Sequence, residues 1–175
     1  MNAWGFGEMG DYNWLNIALA LLCSGLLMWC AAMDLRARII PNRISVLLLS
    51  AFIVSGFVGG HDWLDGLVAL GIVFIITFGM FAIGMIGGGD AKVMTALAPW
   101  IGLQNLLGFA VLTSLFGGLL AAYYLLKQRM GPQTAPDPEG VLEEGQAIEL
   151  PYGVAIAAGG LTMIWLQQSV LMGVL

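Results

Sequence analysis

Charge is scarce in this sequence: with 6 basic and 11 acidic residues, only 10% of its 175 positions are charged, against about 25% in an ordinary soluble domain. Six cations without a dense patch argue against a nucleic-acid partner, because neutralising phosphates requires one. Histidine occurs once, at His61. A histidine-based triad or a histidine-rich metal site is therefore very hard to build, and most hydrolase mechanisms fall away. The two cysteines, Cys23 and Cys30, lie seven apart in one apolar run and have no CxxC spacing. They are expected to share a helix face as small apolar packing residues.

What the chain does have is apolar length. Hydrophobic residues make up 59% of it and the mean hydropathy is +0.90. The charges leave 22 uncharged positions between Asp11 and Asp34, 24 between Asp65 and Asp90, 34 between Lys92 and Lys127, and 26 after Glu149. A bilayer crossing needs roughly 20 apolar residues. The first fourteen residues hold no Lys or Arg, and the apolar stretch that follows is longer than a signal-peptide core, so a retained first helix is expected.

The expected fold is all-α and polytopic: one transmembrane domain over residues 1–175, with about six helices. Helices are expected at about 14–33, 42–59, 64–86, 90–102, 106–126 and 152–172. The stretch 93–126 is too long for one span, and Pro99 and Gly102 interrupt it. The fourth helix is short and starts with polar residues, so it needs bilayer thinning, snorkelling of Lys92 or burial in protein. Residues 128–149 form a loop with three of the six prolines. With six spans Arg36, Arg38, Arg43, Lys92, Lys127 and Arg129 all fall on one face. The positive-inside rule makes that face cytoplasmic and puts both termini outside, together with Glu8, Asp11, His61, Asp62 and Asp65.

Asp34 and Asp90 each sit directly against an apolar helix. Two spans separate them, and an even number of crossings returns the chain to the same side, so both carboxyls belong at one membrane boundary. An ionisable group there is costly and signals function. Two of them suit amide hydrolysis, since close like charges cannot both ionise: one polarises the carbonyl while the other takes a proton from water. The run Gly87-Gly88-Gly89 lets the backbone turn sharply and an extended peptide approach Asp90. The plainer alternative is that Asp90 is only a helix N-cap.

Gly87-Gly88-Gly89-Asp90-Ala91-Lys92 looks like the GxGDxK motif of the GxGD-type aspartic prepilin peptidases of the bacterial inner membrane. Asp34 with Ile40-Pro41-Asn42 resembles that family's first catalytic aspartate and its downstream loop, and Leu150-Pro151-Tyr152-Gly153 resembles its entry to the last helix. The likeness spans most of the chain. It implies an aspartic endopeptidase that removes a short basic leader from prepilin-like precursors at the cytoplasmic boundary. Asp34 and Asp90 would be catalytic, with Gly87, Gly89, Lys92 and Asn42 supporting or binding substrate, and without metal or cofactor. The CxxC-bearing insert of bifunctional members is absent from this sequence, so methylation is not expected. The compact form is similar to the short peptidases of tight-adherence (Flp-type) pilus systems and to archaeal preflagellin peptidases, and resembles the first more through Ile40-Pro41-Asn42 and Pro151-Tyr152-Gly153.

Other features have plainer readings. Lys92 lies about 200° around a helix from Asp90, so it reads as a headgroup anchor first and as a partner of the pair second. The arginines read as topology determinants. The acidic residues Asp137, Glu139, Glu143, Glu144 and Glu149 read as a solvated linker, with steering of a basic leader as the alternative. Trp14, Trp63 and Trp100 suit an interfacial belt, and Gly117 in helix five is expected to tolerate alanine. The rival functions are a small cation- or proton-coupled transporter and an inactive pilus-assembly scaffold. Mid-span residues as bland as Thr77, Thr113 and Ser114 disfavour the transporter.

Overall fold

The computed structural model describes residues 14–57, 62–130 and 150–171. They form six α-helices in the expected order: α1 Trp14–Ala37, α2 Asn42–Phe57, α3 Trp63–Ala82, α4 Gly88–Ile101, α5 Leu106–Met130 and α6 Tyr152–Leu171. A single 3-10 turn, Leu103–Asn105, joins α4 to α5. Among the described residues there is no strand. The protein is an all-α membrane protein: Ile17–Ala37, Trp63–Ala82 and Leu103–Lys127 are long and apolar enough to cross a bilayer, while the apolar Asn42–Phe57 is shorter. Glu8, Asp11, His61, both termini and the acidic stretch 131–149 lie outside the described residues.

Local chemistry sets the helix ends. Helix α1 closes on Arg38, whose φ of 51° is left-handed and whose N–H donates to the Asp34 carbonyl at 3.0 Å, a helix-ending geometry usually left to glycine. Helix α3 starts on Asp62, whose side chain accepts from the N–H groups of Leu64 at 2.9 Å and Asp65 at 3.4 Å. The same helix stops at Ala82 instead of running on to residue 86, because Gly84 takes a left-handed φ of 74°. The turn that follows delivers the chain to the start of α4.

Helix α4 is the hub, packed against α2, α3 and α6. Its Val93, Ala96, Leu97, Trp100 and Ile101 join Leu27, Cys30, Ile44, Leu48 and Ile156 in the main apolar cluster. Burial in protein, one of the three routes open to so short a helix, is therefore the one taken. Cys23 and Cys30 are fully buried in the same cluster, as their shared face requires. Trp100 departs from the belt reading: it is 1% exposed and its Nε1 donates to the Leu48 carbonyl at 3.0 Å. Its buried N–H finds a backbone acceptor in α2 instead of a headgroup. Trp63 packs edge-on against Phe52 and Phe57, and the Trp14 side chain lies outside the described residues.

Without a hydrophobic drive between helices in lipid, close backbone approach and polar ties hold the bundle. Thr77 Oγ1 of α3 meets Thr95 Oγ1 of α4 at 3.1 Å, and Gln167 of α6 donates to the Ile101 carbonyl at 2.7 Å. Small residues bring α5 against α6. A Cβ added at Gly117 would lie 3.0 Å from the Tyr152 hydroxyl, whereas one added at Gly118 meets nothing within 4 Å. Gly117 is therefore packed where Gly118 is open, because the Tyr152 ring of α6 lies where its side chain would be. Gly118→Ala should stabilise by the helix preference of alanine, about 1 kcal/mol, and Gly117→Ala should lose that gain to the displaced Tyr152. Thermal unfolding of the two variants side by side checks this.

Candidate active site

Asp34 lies in the last turn of α1 and is 6% exposed. Its Oδ2 accepts the Gly153 N–H at 2.7 Å, and the Val154 N–H also hydrogen-bonds the carboxyl. Both donors belong to the first turn of α6, whose N–H groups have no partner within their own helix. One end of α1 thus caps the start of α6 from 119 residues away, with the acid at the positive end of the helix dipole. Arg38 is within electrostatic range of the same carboxyl.

Asp90 sits in the first turn of α4, whose N-cap is Gly87. The cap alternative therefore holds only in modified form. Asp90 occupies the third helical position and its carboxyl hydrogen-bonds back to the Gly87 N–H, as the acidic partner of a capping box does. The two carboxyls interact electrostatically, and both act on Cys30, one turn back from Asp34. The structure thus brings Asp34 and Asp90 to one end of the bundle, with the two helices α2 and α3 between them in the chain.

The glycine run serves close approach without unusual backbone angles. Gly87 has φ −70° and ψ 146°, and among the described glycines only Gly84 and Gly102 have positive φ. A Cβ at Gly87 would lie 3.0 Å from Asp90 Oδ2, one at Gly88 3.2 Å from the Phe81 ring, and one at Gly89 3.1 Å from Ile40 Cβ. Gly89 is thus packed against the protein's own Ile40. A bulky residue there disturbs packing whatever it does to substrate, so Gly89→Val would not separate chemistry from packing.

Lys92 and Asn42 come together although 50 residues separate them: the Lys92 Nζ donates to Asn42 Oδ1 at 3.0 Å at an exposed position. This contact ties the first turn of α4 to the first turn of α2, beside the loop that follows Asp34. Two residues had been read only as parts of motifs, Ile40 and Gly153. Their signal was present in Ile40-Pro41-Asn42 and Pro151-Tyr152-Gly153, but nothing local in either string shows that both pack at the carboxyls. Among the described residues, no group of three or more His, Cys, Asp or Glu is placed to hold a metal ion.

A pair of acids held at helix N-termini, at one end of an all-α membrane bundle, defines a helical membrane protein with a candidate acid–base site. Residues 20–122 match the type IV leader peptidase family, and the chain belongs to that family. It is 27% identical over 150 residues to a prepilin leader peptidase/N-methyltransferase of Bacillus subtilis (strain 168), covering 84% of this chain and 55% of that protein. It is 24% identical over 177 residues to a protein of the same name from Xanthomonas campestris pv. campestris, covering 94% of this chain and 54% of that one. The chain spans about half the length of these curated relatives. No solved structure matches it significantly.

Proposed function

We propose that this chain is an aspartic endopeptidase of the bacterial inner membrane that removes the short basic leader of prepilin-like precursors, with Asp34 and Asp90 sharing the acid and base roles. The observation that supports this reading is that two carboxyls, one at the end of α1 and one at the start of α4, lie within electrostatic range of each other in a chain of the leader peptidase family. The ionised carboxyl takes a proton from water, and the resulting hydroxide attacks the scissile carbonyl carbon. The protonated carboxyl gives its proton to the carbonyl oxygen, and collapse of the tetrahedral adduct passes a proton to the leaving amine. No side-chain nucleophile enters the sequence of steps. Residues 1–175 act as a single domain in this reading, with 128–149 as a loop inside it. The decisive experiment incubates the purified protein with a candidate precursor and follows leader release; an intact precursor after prolonged incubation with an inserted, folded enzyme would count against the reading.

Six spans with the site on the cytoplasmic face follow from the sorting of all six cations. In a background lacking Cys23 and Cys30, a cysteine at position 62 should react with an impermeant thiol reagent applied to intact cells, and one at position 137 should not. Replacing Asp62 removes the α3 cap at a cost of about 1 kcal/mol, which an inserted bundle tolerates. Labelling of position 137 from outside would overturn the orientation.

A further inference from the structure

Between the two acids lies a side chain with no chemistry of its own. Ile40 follows the left-handed turn at Arg38 that closes α1 and precedes α2, and it packs half-buried on the main apolar cluster. It reaches both sides of the candidate site. A Cβ built on Gly89, the residue before Asp90, would lie 3.1 Å from Ile40 Cβ and 3.6 Å from its Cγ1 and Cδ1. A Cβ built on Gly153, the residue whose N–H holds Asp34, would lie 3.0 Å from Ile40 Cδ1. The first turn of α4 and the first turn of α6 therefore rest on one branched side chain, α4 along its length from Cβ to Cδ1 and α6 at its Cδ1 tip. Each can do so because it offers a glycine at the point of contact.

We propose that Ile40 is a positioning residue: a wedge that sets the spacing of the Asp34 and Asp90 carboxyls by holding the starts of α4 and α6 at a fixed separation. Each acid is fastened to its own side of the wedge. Asp90 bonds back to the start of α4, and Asp34 bonds across to the start of α6. With both acids fixed to helix starts, their separation depends on what lies between those starts. A β-branched residue suits this work because it has few side-chain rotamers. Ile40 also sits in the loop that follows Asp34, so the spacing device and one of the acids it spaces are six residues apart.

The inference rests on the proposed aspartic chemistry, and its test keeps the two apart. Leader release by the wild-type protein, and its loss in Asp34→Asn, are measured first and bear on the chemistry alone. Ile40 is then shortened stepwise in full-length protein in native membranes. Ile40→Val loses the Cδ1 that meets Gly153 and keeps Cβ and Cγ1 against Gly89; Ile40→Ala loses Cγ1 as well and keeps only Cβ there. The expected order of kcat is wild type, then Val, then Ala, with Ala about 10²-fold down, since a misplacement near 1 Å costs that much, and with KM within about threefold throughout. A merely structural role would lower the amount of inserted protein and leave kcat per folded molecule unchanged. That result would overturn the proposal, as would a raised KM with intact kcat, which would make Ile40 a substrate contact. Should Ile40→Ala fail to insert, Ile40→Val alone decides, because its expected fall of roughly tenfold in kcat needs only the lost Gly153 contact.

Discussion

Asp34→Asn and Asp90→Asn should each lower leader release by about 10²- to 10⁴-fold, the range that a positioned acid or base contributes. An asparagine keeps the shape of the acid and an oxygen that accepts a hydrogen bond, so the Gly153 N–H retains a partner in Asp34→Asn, and the Gly87 N–H in Asp90→Asn. What the amide lacks is a proton that it can lose or share. Neither substitution removes a cation, so the proposed orientation by charge sorting is unaffected. Insertion and unfolding temperature should therefore stay close to those of the wild type while turnover collapses. Substantial turnover by a properly inserted variant would remove that residue from the pair.

The second large effect falls on a glycine. In Gly153→Ala the new methyl would lie 2.9 Å from Asp34 Oδ2, 3.0 Å from its Cγ and 3.0 Å from Ile40 Cδ1. Neither neighbour is free to swing away, since the carboxyl is bonded to the α6 backbone and Ile40 is braced against Gly89. The carboxyl must shift by several tenths of an ångström and its 2.7 Å hydrogen bond must lengthen. Alanine is favoured over glycine inside a helix by about 1 kcal/mol, so propensity alone works against any loss. A fall in kcat of about 10²-fold, with helix content by circular dichroism unchanged, is the expected result. Gly118→Ala serves as the control, since its methyl meets nothing. Equal kcat in the two variants would mean that the Asp34–Gly153 contact has no part in turnover.

The order of the helices was legible in the sequence because long uncharged runs mark them. With two helices expected between Asp34 and Asp90, the sequence also placed both acids at one end, where they come within electrostatic range. The short α4 was legible as a problem, and its solution, burial among α2, α3 and α6, required the tertiary structure. The belt reading failed at Trp100 for the same reason: a tryptophan near a helix end looks alike whether it faces headgroups or a neighbouring backbone. The end of α3 was placed late because every residue from 82 to 86 is apolar or glycine, and only the left-handed Gly84 stops the helix.

The glycines were the least legible. Gly117 looked like filler in an apolar helix, and the run before Asp90 like a sharp turn that leaves room for a substrate peptide. What each glycine admits is a side chain distant in sequence: Tyr152 at Gly117, Ile40 at both Gly89 and Gly153. The pairing of Lys92 with Asn42 was invisible for the same reason, since no spacing rule connects residues 50 apart.

If Asp34 and Asp90 act as one unit, a double-substitution cycle on leader release shows it most directly. Groups that work together lose nearly everything with the first substitution. The account predicts that Asp34→Asn/Asp90→Asn releases leader no more slowly than the slower of the two single variants, within about threefold, at equal amounts of inserted protein. A double variant slower by the product of the two single losses would mean two independent contributions, and wild-type turnover in either single variant would leave no pair at all.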